Sequence, residues 1–343
     1  MTAPLLVRAC RRETVERTPV WYMRQAGRCL AEYRELRERF GILEIARNPE
    51  LCARVTAMPV TRLGVDAAVL YADIMLPLDG MGVPFHIEPD VGPIVERPVR
   101  AASDVAALRV VPAEEATPYL FAAIRELRRS LPAEVALIGF AGAPFTLASY
   151  LIEGRPSRDL ARTKALLFGD PVLWDRLMTV LSDVLVRYLG AQVDAGVDVI
   201  QLFDSWAGAL SAEDYARAVR PYSRRVLDAV RGVPRIHFAT GNPELLPLLA
   251  DVPCEVVSVD WRIGLADAWS RIGDRGIQGN LDPAVCLAPF EVVAARARAI
   301  LAEAAGRPGH VFNLGHGVLA DTEADTLARL TELVGTETAV ALV

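Results

Sequence analysis

The sequence predicts an α/β fold: a single (β/α)8 TIM barrel over residues 1–343, with a small hairpin insertion after its second strand. Three observations lead there. Short apolar, β-branched runs recur along the chain; most are separated by a helix-length segment; and eight such units fit in one chain of 343 residues. Alternation of this kind is the pattern of a parallel sheet, and eight units match a closed barrel.

In chain order the runs are Pro19–Met23, Ala67–Tyr71, Val135–Phe140, Val197–Phe203, Arg235–Phe238, Glu255–Val259, Gly276–Gly279 and His310–Asn313, with the weakest pattern in the first and seventh. Between them lie helical patterns at Pro49–Leu63, Pro118–Arg129, Pro171–Ala195, Ala212–Val230, Phe290–Ala305 and Glu323–Val334. The third run opens an uncharged stretch of 18 residues, Val135–Ile152, long enough in principle to span a membrane. Its Gly139, Gly142, Pro144, Thr146 and Ser149 suit a buried strand that leaves through a Gly/Pro loop instead. Ile74 to Leu131 is too long for one crossover, and the Gly and Pro punctuation of GMGVPFHIEPDVGPIVERPV (residues 80–99) reads as the inserted hairpin. No low-complexity linker or solenoid repeat interrupts the pattern, so one domain is expected.

Hydrophobic residues at 52% and charged residues at 23% supply a buried core and disfavour disorder. Lys+Arg 37 against Asp+Glu 43 gives a net charge of -6, so neither nucleic acid nor a membrane surface is an expected partner. An anionic ligand would have to be met by locally clustered arginines. The apolar stretch Ala3–Val7 is too brief for a signal peptide, and five cysteines without CxxC spacing indicate reduced usage, so a cytoplasmic protein is expected. Lys164 is the only lysine and lies in the helical ARTKALLF, which weighs against Schiff-base, pyridoxal and P-loop chemistry.

In a barrel of this type the site lies at the C-terminal ends of the strands. Polar residues gather there: Arg24 and Arg28, Asp73, Tyr150 in GAPFTLASY, Asp204 and Ser205, then Thr240, Asp260, Asn280 with Asp282, and Asn313 with His316. Arg24 and Arg28 bracket Gly27, where the backbone can approach a ligand and two guanidiniums can grip carboxylates. Arg37 lies in EYRELRER, which reads as a solvated helix laced with i,i+4 ion pairs ahead of an anion site. Asp73 ends AAVLYAD. A carboxylate there either meets a partner offering donors or caps the next helix, and both readings stand. A lone histidine is usually structural, but His316 between the glycines of NLGHG is at a strand end, which favours a role in the site. His86, Glu88 and Asp90 alternate along the hairpin as a solvated face, and no metal site is expected.

These residues fall within WYMRQAGR (Trp21–Arg28), YADIMLP (Tyr71–Pro77), GFAGAPFTLASYLIEG (Gly139–Gly154), QLFDSWAG (Gln201–Gly208), QGNLDP (Gln278–Pro283) and FNLGHGV (Phe312–Val318). Through these segments, in this order, the chain resembles the uroporphyrinogen decarboxylases over essentially its whole length. The resemblance implies cofactor-independent removal of the four acetate carboxyls of uroporphyrinogen III, giving coproporphyrinogen III, by a homodimer. It implies substrate contacts at Arg24, Gln25, Ala26, Gly27, Arg28, Arg37, Asp73, Tyr150, Ser205 and His316, with Asp73, Arg24 and His316 closest to the chemistry. Asp73 would collect the pyrrole N–H groups, and Arg24 and His316 compete as proton donor. Ala320 departs from the family, where proline is common. Two other readings compete. Related corrinoid-dependent methyltransferases hold zinc through a His, a Cys two residues on, and a distant Cys, but His237 is followed by Phe238 and Ala239, and residues 300–320 contain no cysteine. A non-catalytic tetrapyrrole-binding protein is disfavoured by the joint presence of Arg24, Arg28, Asp73, Tyr150 and His316.

Overall fold

The structure is a computed structural model that describes residues 2–89 and 91–340. Seven parallel strands form its main sheet: β1 (Ala67–Val69), β4 (Ala136–Gly142), β5 (Val199–Asp204), β6 (Arg235–Ala239), β7 (Val256–Ser258), β8 (Gly276–Leu281) and β9 (His310–Leu314), hydrogen-bonded in that order. The remaining two, β2 (Phe85–Glu88) and β3 (Gly92–Val95), pair antiparallel as the expected hairpin after β1. Asp90, assigned to that hairpin's solvated face, lies outside the described residues. His86 is exposed beside Glu96, with Nδ1 3.8 Å from its carboxylate.

Of the eight predicted runs, Pro19–Met23 does not extend into a strand. It contributes a single parallel bridge, Val20 to Phe312 of β9. The physical reason is in its donors. Pro19 has no N–H, and the N–H of Val20 goes to the Asp66 carboxylate at 2.8 Å rather than to a neighbouring strand. The segment nevertheless spans both sheet edges, because Phe312 N donates to Pro19 O (2.9 Å) and Asp66 N to Val20 O (2.8 Å). Arg17 clamps the same carboxylate at 2.8 and 2.5 Å. The sheet therefore curls on itself through this joint.

Around it lie the long helices Pro49–Leu63, Pro118–Ser130, Pro171–Ala195, Phe290–Ala304 and Ala324–Glu337. Each buries an apolar stripe against the sheet or a neighbouring helix. The predicted helix Ala212–Val230 is two helices, Ala212–Ala218 and Arg220–Ala229. Pro221 has no N–H to continue the first and starts the second, where that loss costs nothing. The uncharged stretch from Val135 becomes β4, buried along its full length, and the helix Pro144–Glu153. Among the described residues no helix is long and apolar enough to cross a membrane.

A polar layer fills the barrel's centre. Trp21 Nε1 donates to Gln278 Oε1 (2.9 Å), and Gln278 Nε2 donates to Gln201 Oε1 (3.1 Å) and Ser258 Oγ (2.9 Å). The Gln278–Gln201 bond joins β8 to β5, which are not neighbours, so Gln201 faces inward. Side chains alternate along a strand, so Phe203 is inward too, whereas Leu202 and Asp204 face the helices.

Candidate active site

Above the polar layer the inward residues are aromatic. The Phe203 ring centroid is 5.4 Å from that of Phe140 and 5.7 Å from that of Phe238, and Phe238 is 5.9 Å from His316, all edge-on. This apolar floor lies at the strand ends where the site was expected. No polar-residue search would find it. Its signal was alternation: Phe203 and Phe238 occupy the inward positions next to the outward Asp204 and His237.

The Trp21–Arg28 segment enters the site from the joint between the sheet edges. Met23 N donates to Asn313 Oδ1 (3.1 Å) and Val318 N to Met23 O (2.8 Å), tying it to the loop after β9. Arg24 then takes a left-handed conformation, φ 61°, uncommon for a residue with a side chain and typical of functional turns. Its side chain crosses Gly317, where a Cβ would stand 2.4 Å from Arg24 Cδ, so glycine after His316 makes room for the guanidinium stem. Arg24 and Arg28 are exposed, and Ala26 and Gly27 half-buried. The Gln25 side chain turns away from the opening: Oε1 accepts from Tyr22 N (3.0 Å) and Nε2 donates to Ala67 O (2.8 Å). That bond gives the missing first strand a partner on β1.

Asp73 follows β1 in the loop before a short 3-10 turn at Leu76–Leu78. Its Oδ1 accepts from Met75 N at 2.8 Å, a local cap, so the capping reading holds for one oxygen. Among the described residues nothing bonds Oδ2. Burial raises the Asp73 pKa from its ordinary value, against the Met75 N–H and the Arg24 charge, which pull it down. The same Arg24 charge also reaches His316 and Tyr150. Burial first, and then Arg24, push His316 down to about 4, so its ring is neutral at pH 7. Tyr150, on the Pro144–Glu153 helix, is buried with its ring centroid 5.9 Å from that of Trp206, and burial raises its phenol. Arg24 thus stands within electrostatic range of Asp73, Tyr150 and His316, three residues from three other segments of sequence.

Ser205 is half-buried at the end of β5, between Asp204 and Trp206. Asp204 itself faces outward. Its Oδ1 accepts from Thr146 Oγ1 (3.0 Å), its Oδ2 is buried without a partner among the described residues, and burial raises its pKa to about 7. Arg37, on the helix Ala31–Arg39, is half-buried and donates to Phe40 O; burial raises the phenol of Tyr71, and the Arg37 charge opposes that rise. Arg37 therefore borders the Asp73 loop. The ion pairs expected along that helix run outward instead, as in Glu32 to Arg62 at 3.1 Å. Arg262 was missed by sequence reasoning; it stacks 4.3 Å over Trp261, is salt-bridged to Asp260 at 2.7 Å, and acts electrostatically on His316. At the opposite end of the barrel a cavity of about 220 Å³ is bordered by Arg11, Arg231, Arg235 and Glu255, where Arg235 and Glu255 pair at 2.7 Å.

Comparison with known proteins bears on the fold and the family. By fold, the chain is similar to a methyltransferase from Methanosarcina mazei, with a TM-score of 0.82 over 98% of this chain and 99% of that one; at 22% identity the likeness speaks for the barrel alone. Among the described residues no three His, Cys, Asp or Glu side chains gather as a metal-binding group. By sequence, it is 49% identical to uroporphyrinogen decarboxylase of Carboxydothermus hydrogenoformans, over 96% of this chain and 95% of that protein. It is 52% identical to that of Streptomyces coelicolor, over 97% and 94%. The family model described as "Uroporphyrinogen decarboxylase (URO-D)" matches residues 1–336. With near-complete coverage on both sides, the chain belongs to the uroporphyrinogen decarboxylase family.

Proposed function

We propose that the chain converts uroporphyrinogen III to coproporphyrinogen III, releasing one carbon dioxide from each of four acetate side chains, with Asp73 as the residue on which catalysis turns. The observation that carries this reading is the Asp73 carboxylate: one oxygen is capped by Met75 N, the other has no partner among the described residues, and Arg24 lies within electrostatic range.

The substrate is a flexible macrocycle with eight carboxylates outside and four pyrrole N–H groups that can converge when it domes. The apolar floor of Phe140, Phe203 and Phe238 supports a ring system, and the open Asp73 oxygen suits the N–H groups. Arg24, Arg28 and Arg37 suit the carboxylates, since a guanidinium binds a carboxylate through two parallel hydrogen bonds. Tyr150, Ser205 and His316 complete the rim, and the backbone of Gln25, Ala26 and Gly27 lets the arginine loop approach the ligand.

Decarboxylation needs an electron sink. Protonation of a pyrrole ring carbon creates one, an iminium-like cation; the C–C bond electrons flow into it as carbon dioxide leaves, the exocyclic carbon takes a proton to become a methyl, and the ring carbon gives up the proton it first took, which restores the pyrrole. Asp73 stabilises the cation. His316, neutral at working pH, orients the substrate through a hydrogen bond rather than serving as a stored acid. In this reading Arg24 relays a proton to the reacting acetate. Family resemblance supports a cytoplasmic homodimer, which light scattering of the eluted protein would report directly.

Anaerobic incubation with uroporphyrinogen, followed by oxidation and chromatography, tests the reading. Intermediates with seven, six and five carboxyls and then coproporphyrin are expected. Unchanged uroporphyrin would leave a binding protein in place of an enzyme.

A further inference from the structure

The helix Ala31–Arg39 buries only Tyr33 and Leu36, so little apolar surface holds it at the mouth of the site. Tyr33 makes one further link. Its hydroxyl lies 2.7 Å from that of Tyr71, and the two rings pack with centroids 5.7 Å apart. Tyr71 is the fixed partner: its N–H donates to Thr56 Oγ1 at 2.8 Å, and its carbonyl accepts from Cys52 Sγ at 3.1 Å, both on the Pro49–Leu63 helix. Two residues past Tyr71 comes Asp73. One helical turn past Tyr33, on the same face, comes Arg37.

We propose that the Tyr33–Tyr71 hydroxyl pair is a positioning latch that holds the Arg37 helix at a set distance from the Asp73 loop and thereby tunes affinity for the substrate's carboxylates. The latch rests on the reading of Arg37 and Asp73 as substrate contacts. Both phenols are buried, so the bond is shielded from water, and removing one hydroxyl strands the other. Neither phenol touches the reacting atoms in this reading. Loss of the bond should therefore appear in binding more than in turnover.

The test is a double-mutant cycle on the full chain with Tyr33→Phe, Tyr71→Phe and the double variant, which keep both rings. Steady-state kinetics with uroporphyrinogen is combined with hydrogen exchange of the residue 31–39 amides. Each single variant is expected to raise KM roughly 3- to 10-fold, the usual effect of one hydrogen bond, with kcat within about 2-fold and faster exchange in the helix. The double variant should match the singles in KM while its thermal midpoint returns toward wild type, because no hydroxyl is stranded. A double variant with wild-type KM would show that the singles suffered only from a stranded hydroxyl and overturns the latch, as does unchanged exchange. Faster exchange with unchanged KM overturns the affinity role. Arg37→Ala, measured alongside, then tells whether the latch is at fault (KM raised) or Arg37 is not a substrate contact (KM unchanged).

Discussion

Asp73→Asn separates the charge of this residue from its shape. Asn can still accept the Met75 N–H through its carbonyl, so the cap at 2.8 Å survives and the loop should hold. What disappears is the negative charge at the open oxygen. A unit charge about 4 Å from a cation, at an effective dielectric of about 20, interacts by about 4 kcal/mol, or roughly 1000-fold in rate. The cation is spread over a pyrrole and Arg24 opposes part of the field, so a loss of about 100- to 1000-fold in single-turnover rate is expected. Stability should move the other way. Burial raises the Asp73 pKa, so the folded state holds the proton more tightly than the unfolded chain. Stability from this group is then fullest below the unfolded pKa and is lost as pH rises through the folded value, leaving a cost at neutral pH. Asn carries no such cost, so its thermal midpoint at pH 7.5 should equal or exceed that of wild type. Asp73→Glu, which keeps the charge but shifts it by one methylene, should recover only part of the rate. Near-wild-type turnover in the Asn variant, or a large fall in its midpoint with unaltered turnover, would refute the electrostatic role and leave only the cap.

Asp204→Asn should stabilise the protein increasingly between pH 5 and 8. The wild-type carboxyl, with a pKa raised to about 7, loses stability across that window, by about 2–3 kcal/mol, while Thr146 can still donate to the Asn carbonyl. Thermal midpoints at the two pH values check this, and a constant difference would contradict it. Arg24→Met should raise the His316 pKa above about 4, because the Arg24 charge is the second cause of its depression; NMR titration of the imidazole reads the shift, and no movement would place Arg24 elsewhere. Arg28→Ala should raise KM with little change in kcat, whereas Arg24→Ala should lower kcat as well. Equal kcat losses would erase the distinction between a carboxylate clamp and a proton relay.

Most of the barrel was legible because its strands are fully buried and therefore written as short apolar runs, as in Val256–Ser258 and Ala136–Gly142. The first strand was over-read, since an apolar run beginning with proline can make one bridge without a ladder. The helix break before Pro221 was missed because the apolar face continues across it while the backbone hydrogen bonds do not. At the site, Arg24, Asp73 and His316 were readable from their positions after strands. Asp204 stood in an equally suggestive position but faces the helices, a fact that depends on the alternation set by Gln201. The inner aromatic floor and Arg262 were hidden, because apolar rings at strand ends look like core and Arg262 is paired with its own neighbours Asp260 and Trp261, acting on His316 through its charge alone.

The joint at Val20 also has a consequence for when the site comes into being. Met23, next to Arg24, is anchored to Asn313, 290 residues later in the chain. During synthesis the arginine loop emerges long before the strand that orients it, 290 residues separating Met23 from Asn313. A nascent chain still lacking β9 has two open sheet edges and no partner for Met23, so the loop has no defined aim and β1 is exposed to mispairing. Long-range closure of this kind is slow, because the entropy of bringing distant segments together precedes any reward from the contact. The Arg24–Arg28 loop therefore becomes ordered only with β9, and truncation before His310 would disorder residues far upstream of the cut.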